Sequence, residues 1–93
     1  MKPVFKPNPA HTRGKPGFNR AKAVEPADAA EVFETAIEGP NGKWYGRSAN
    51  GEIYRFSPDN AGGAHFSGST GGPTPLRLED IPVEVRRALG RVR

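Results

Sequence analysis

Between Pro26 and Ile37 the apolar residues Ala29, Val32, Phe33, Ala36 and Ile37 recur at three- and four-residue spacing, while Glu31, Glu34 and Glu38 fall off the stripe. That period predicts a helix with one face for a core and one for solvent. Pro26 suits a first helical position, and Asp28 and Glu31 favour the positive end of the helix dipole. The run Glu38-Gly39-Pro40-Asn41-Gly42 then breaks it. From Lys43 the period changes to two. Lys43–Ala49 and Glu52–Ser57 alternate as strands, and Asn50-Gly51 between them is the preferred pair of a two-residue type I′ turn. Such a turn would set Arg47 opposite Tyr54 and Tyr45 opposite Phe56. Trp44, Gly46, Ser48, Ile53 and Arg55 would share the other face.

A turn at Ser57–Gly63 precedes a third short strand, Ala64–Ser67, with Ala64 and Phe66 pointing one way and His65 and Ser67 the other. Residues 68–75 are too rich in Gly for regular structure, and Leu76–Leu78 is a candidate fourth strand at an edge. Ile81, Val85 and Leu89 form the stripe of a second helix. Its acids Glu79, Asp80 and Glu84 sit at the start, Arg86 and Arg87 near the end, and Gly90 just beyond. The expected fold is α+β: an N-terminal helix, a small three- to four-stranded antiparallel sheet and a C-terminal helix.

Composition narrows this picture. Residues 1–24 are rich in Pro, Lys and Arg, contain no acid and show no apolar period. They predict a disordered, flexible basic arm, with His11 as a solvated linker residue, and residues 25–93 as the single domain. With no Cys in 93 residues, disulfides and thiolate metal sites are excluded. No secretory leader is apparent at the N-terminus, and no stretch approaches the ~20 apolar residues of a membrane span. Charge is uneven: +6 over residues 1–22, −5 over 23–41, and positive again to the end, for a net +4. Basic ends favour a polyanion or an acidic protein as partner.

The order Pro26-Ala27-Asp28-Ala29, Lys43-Trp44-Tyr45-Gly46-Arg47, Gly51-Glu52-Ile53-Tyr54-Arg55-Phe56, Ala64-His65-Phe66-Ser67-Gly68 and Ile81-Pro82-x-x-Val85-Arg86 resembles the C-terminal toxin domains of bacterial polymorphic toxins, of the Rhs and contact-dependent-inhibition type. The similarity spans residues 19–90. It implies a nuclease of the barnase, EndoU, colicin or RelE kind, delivered from a carrier polypeptide into a target cell's cytoplasm. It also implies tRNA or rRNA as substrate and neutralisation by a cognate immunity protein, expected to be acidic. The basic arm would then be the linker to the carrier.

RNA cleavage without a metal or cofactor needs a base for the ribose 2′-OH, an acid for the leaving 5′-oxygen and a cation for the phosphate. His65, whose side-chain type titrates closest to neutral pH and which matches the His of the toxin pattern, is the first candidate for proton transfer. Arg55 and Arg47 are candidates to hold phosphate, and Tyr54 to act as acid, orient a base or stack on a nucleotide. Lys43 and Trp44 are candidate substrate contacts on a basic-aromatic surface, and Ser67 and Thr70 candidate phosphate donors. Glu52 and Asp59 are alternative partners for His65. Two other functions stay open. An early-strand Arg, the Ser67–Thr70 segment and Glu79 loosely follow the order found in ADP-ribosyltransferases, and a non-catalytic basic module would bind nucleic acid or an acidic protein. Zinc deaminases are excluded by the absence of Cys, and no P-loop precedes a helix.

Overall fold

The computed structural model describes residues 2–7, 25–71 and 75–90. Most of the expected arm, His11, residues 72–74 of the Gly-rich loop, and Arg91 and Arg93 lie outside the described residues. In chain order the elements are β1 (Val4–Phe5), α1 (Ala29–Glu34), β2 (Ile37–Glu38), β3 (Trp44–Arg47), β4 (Ile53–Pro58), β5 (Gly63–Ser69), a 3-10 turn (Leu78–Asp80) and α2 (Val83–Leu89).

The sheet has five strands in the order β1-β5-β4-β3-β2 and is mixed, because β1 runs parallel to β5. This corrects the expected three- to four-stranded antiparallel sheet on three counts. Val4 and Phe5, assigned by composition to a disordered arm, form an edge strand paired with Gly63 and Ala64. The expected first helix, Pro26–Ile37, stops early: α1 is six residues long, and Ile37 with Glu38 forms β2, which pairs with β3. Leu76–Leu78 is no strand; its end enters the 3-10 turn. Burial explains the first change: Phe5 packs against Phe33 and Phe56, with ring centroids 5.9 Å away in each case. Two paired residues and one aromatic anchor are too short to leave a periodic signal.

The β3–β4 hairpin forms, but not with the expected turn. The Gly51 N–H donates to the Ser48 carbonyl (3.0 Å), the Ser48 N–H donates to the Glu52 carbonyl (2.8 Å), and Gly51 has φ 88°. A left-handed Gly following a turn adds one residue to the loop. The register therefore shifts by one: Trp44 pairs with Phe56, Tyr45 with Arg55, Gly46 with Tyr54 and Arg47 with Ile53.

That shift sorts the side chains. One face carries Trp44, Tyr54, Phe56, Ala64 and Phe66, which close a core with Ala29, Val32, Phe33 and Ala36 around α1. Helix and sheet come close at Gly46, where a Cβ would lie 2.6 Å from Val32 Cγ1 and 2.7 Å from the Val32 carbonyl oxygen. The other face carries Tyr45 and Ile53, which pack with Ile81 and Val85. Helix α2 thus covers only part of the second face. The remainder, towards β5, holds Arg55, Ser57, His65 and Ser67, all half-buried.

Candidate functional site

The uncovered part of the second face is built from three strands. His65 and Ser67 project from β5 between the buried Ala64, Phe66 and Gly68, in the alternation expected of a strand. Ser57 on β4 is the direct cross-strand partner of His65. Between Arg55 and Phe56 the β4–β5 register slips, so that Arg55 pairs with Gly68, Phe56 with Phe66, and Ser67 is the extra residue. A bulge of this kind re-aims a side chain. Here the extra residue meets Arg55: Arg55 Nε donates to Ser67 Oγ (3.0 Å) and Nη2 to the Ser67 carbonyl (2.9 Å).

The hydroxyls continue the network. Ser57 Oγ donates to Ser67 Oγ (2.8 Å), and Lys43 Nζ, from the residue before β3, donates to Ser57 Oγ at 3.4 Å. A hydrogen-bonded line therefore runs Lys43–Ser57–Ser67–Arg55, with His65 beside its centre. Asp59, two residues beyond Ser57, stands off this line beside Gly63 and Lys6. Asp59 Oδ1 accepts the N–H groups of Gly63 (2.9 Å) and Ala61 (2.7 Å). Those bonds hold its carboxyl below the usual range, and the charges of Lys6 and His65 act in the same direction. Glu52 lies elsewhere, at the hairpin turn against Gly71. Of the two carboxylates considered as partners for His65, Asp59 is the one diagonal to it across β4 and β5 and within its field.

The other candidates are dispersed. Tyr54 is buried on the α1 face, and its Oη donates to Asp28 Oδ1 at 2.8 Å. Burial first, then that bond and the Asp28 charge, push its hydroxyl up to about 12. Trp44 is also on the α1 face, 6.1 Å from the Phe33 ring and beneath the Lys2 ammonium. Arg47 is at the far end of β3, where Nη1 donates to the Leu89 carbonyl at 3.1 Å. Thr70 Oγ1 accepts the Ile53 N–H (3.1 Å) and so closes the sheet. Glu79 is exposed and pairs with Arg77 at 3.2 Å.

The structure thus gathers His65, Arg55, Lys43 and Ser67, and separates Tyr54, Trp44, Arg47 and Thr70 from them. Ser57 and Lys6 belong to the same face and were not singled out from sequence. The one-residue register shift hides Ser57; its position two before Asp59, on the parity of Arg55, is the signal that could have found it. A cleft of about 310 Å³ opens at the end of the sheet between Lys2, Glu38, Trp44, Pro58, Asp59 and Gly63. Among the described residues the His65 face is half-exposed, with Leu76 lying over Gly68 at its Arg55 end. No described helix is long and apolar enough to cross a membrane.

Comparison with family models, with characterised proteins and with solved structures finds no match to this chain.

Proposed function

We propose that this domain is a ribonuclease of the bacterial toxin type, which binds RNA on the half-exposed face of β4 and β5 and cleaves it without a metal. The observation that carries the reading is the position of His65: it faces Ser57, whose hydroxyl is tied to Lys43 on one side and through Ser67 to Arg55 on the other. One imidazole, one ammonium and one guanidinium can fill the three roles that such cleavage requires: base, acid and cation.

The His65 imidazole takes the proton of the ribose 2′-OH. The 2′-oxygen attacks the adjacent phosphorus, the bond from phosphorus to the 5′-oxygen breaks, and the Lys43 ammonium gives that oxygen its proton. The products are a 2′,3′-cyclic phosphate and a 5′-hydroxyl. Arg55 lies against the phosphoryl oxygens and offsets their charge; its pairing with Ser67 fixes the fork in advance, so little order has to be gained on binding. Tyr54 takes no part, being on the other face. An acidic immunity protein would neutralise the domain by covering the same cations, and delivery from a carrier would place it in a target cell's cytoplasm.

A second reading, a basic module that binds RNA without cutting it, is favoured by the fact that two of the Arg55 nitrogens are already used within the protein. One experiment separates the two. Purified protein is incubated with total RNA in EDTA, and the new ends are typed. Cleavage that leaves 2′,3′-cyclic phosphate, reduced roughly 10²- to 10⁴-fold in His65→Ala, is expected. RNA left intact by the wild type, or cut equally by the variant, refutes the catalytic role.

A further inference from the structure

We propose that the substrate backbone crosses the sheet along one transverse row of side chains, and that Lys6, carried in by the N-terminal strand, grips phosphate at the far end of that row. This rests on the reading of the His65 face given above and extends it to a strand outside the expected domain.

The row follows from register. Phe5 is paired with Ala64, and the Lys6 N–H donates to the Ala64 carbonyl at 2.7 Å, which sets Lys6 abreast of His65. His65 is paired with Ser57. The β3–β4 ladder, continued one step from Trp44 and Phe56, sets Lys43 abreast of Ser57, and the Lys43–Ser57 hydrogen bond agrees. Lys6, His65, Ser57 and Lys43 therefore stand in line on four neighbouring strands. With strands about 4.8 Å apart, the two ammonium-bearing residues are separated by three intervals, about 14 Å of sheet, with the imidazole between them.

The Lys6 side chain lies on this face because Gly63 leaves room for it. Its Cδ and Cε are each 2.7 Å from the point where a Cβ on residue 63 would stand. Asp59 Oδ2 lies 2.8 Å from that same point, so its carboxylate stands near the Lys6 ammonium and feels its charge, without the direct ion pair that Arg77 and Glu79 make among the described residues. The neighbour of Lys6 in the same strand segment behaves differently. Lys2 Nζ donates to the carbonyls of Glu34 (2.9 Å) and Ala36 (3.1 Å) at the end of α1, a purely structural task on the other face. One segment thus supplies one lysine to the fold and one to the His65 face.

The test uses a 2′-O-methyl RNA oligomer, which has no 2′-OH and cannot be cut, so binding is read apart from chemistry. Affinities of the wild type, Lys6→Ala and Lys6→Arg are measured by fluorescence anisotropy between about 50 and 200 mM salt. One lost phosphate contact lowers the slope of log K against log salt by about 0.7, so the alanine variant should lose about 2.5-fold less affinity over that range. Lys6→Arg should keep the wild-type slope, and thermal melts of all three should coincide. A wild type that binds with the same slope as Lys6→Ala overturns the role of Lys6 and leaves the His65 site standing. A wild type that does not bind the oligomer overturns the site as well.

Discussion

Tyr54 offers the sharpest test of which face is structural. Its ring is 4% exposed, and its hydroxyl joins β4 to Asp28, the residue at the head of α1, through a 2.8 Å bond. Its pKa rises from 10.0 to about 12, chiefly through burial and then through Asp28. Two units at about 1.4 kcal/mol each make about 3 kcal/mol of difference between protonation states. For a raised pKa on an acid, the neutral form belongs to the folded state. The contribution is thus complete below pH 10 and is lost as pH climbs towards 12. By about pH 11 roughly 1.4 kcal/mol is gone. Tyr54→Phe removes the bond to Asp28, at a cost of about 1–2 kcal/mol near neutral pH, but also removes the titration. Urea unfolding followed by Trp44 fluorescence, at steps from about pH 7 to 11.5, should show the wild type ahead at neutral pH and the two curves meeting near pH 11. The RNA-cleavage rate of Tyr54→Phe at neutral pH should stay close to that of the wild type. Stability curves that run parallel through the alkaline range would refute the argument, and a collapse of cleavage in a folded variant would return Tyr54 to the chemistry.

Two further outcomes are expected. Gly46→Ala should destabilise the domain by about 3 kcal/mol, because the new methyl meets both the Val32 side chain and its carbonyl oxygen, and the backbone atom cannot yield without lifting α1; thermal melting checks this, and an unchanged midpoint would mean that α1 is not seated there. Asp59→Asn keeps an acceptor for Ala61 and Gly63 but loses the charge that their N–H groups favour. Since the Asp59 carboxyl is held below its ordinary 3.8, its contribution is present above that pH and disappears as pH falls. The variant should therefore unfold at lower urea than the wild type at pH 7, and the gap should narrow by about pH 3.

Both helices, the central hairpin and the His65 strand were legible because each spans enough residues to show a period. Val32 and Phe33 on one stripe, and Ala64 and Phe66 on one side of a strand, needed only local geometry. Two things were not legible. The turn at Asn50-Gly51 carries the same residues whether the loop holds two residues or one more, and the choice decides whether Tyr45 and Tyr54 share a face or lie on opposite ones. Only packing decides it: Gly46 must lie under Val32, which puts its partner Tyr54 beneath α1 and sends Arg55 to the other side. The second is β1, whose role depends on a pairing with Gly63 and Ala64 far along the chain. Lys6 could not be placed on the candidate site without it, and the bulge that turns Ser67 towards Arg55 is likewise a property of the pair of strands rather than of either one.

The short parallel strand also has a protective effect. β1 pairs with the first two residues of β5, Gly63 and Ala64; without Val4 and Phe5 that end of the strand would also be a rim of the sheet. That segment contains no Asp, Glu, Lys, Arg or Pro, so it lacks the usual residues that deter a second molecule from adding its own backbone to an open ladder. The lid is nearly as modest as a lid can be: a pair of residues, shielded on the outside by an exposed Val4 and followed directly by a lysine. The pairing of these two distant segments of the polypeptide thus removes part of an edge on which another backbone could have been added.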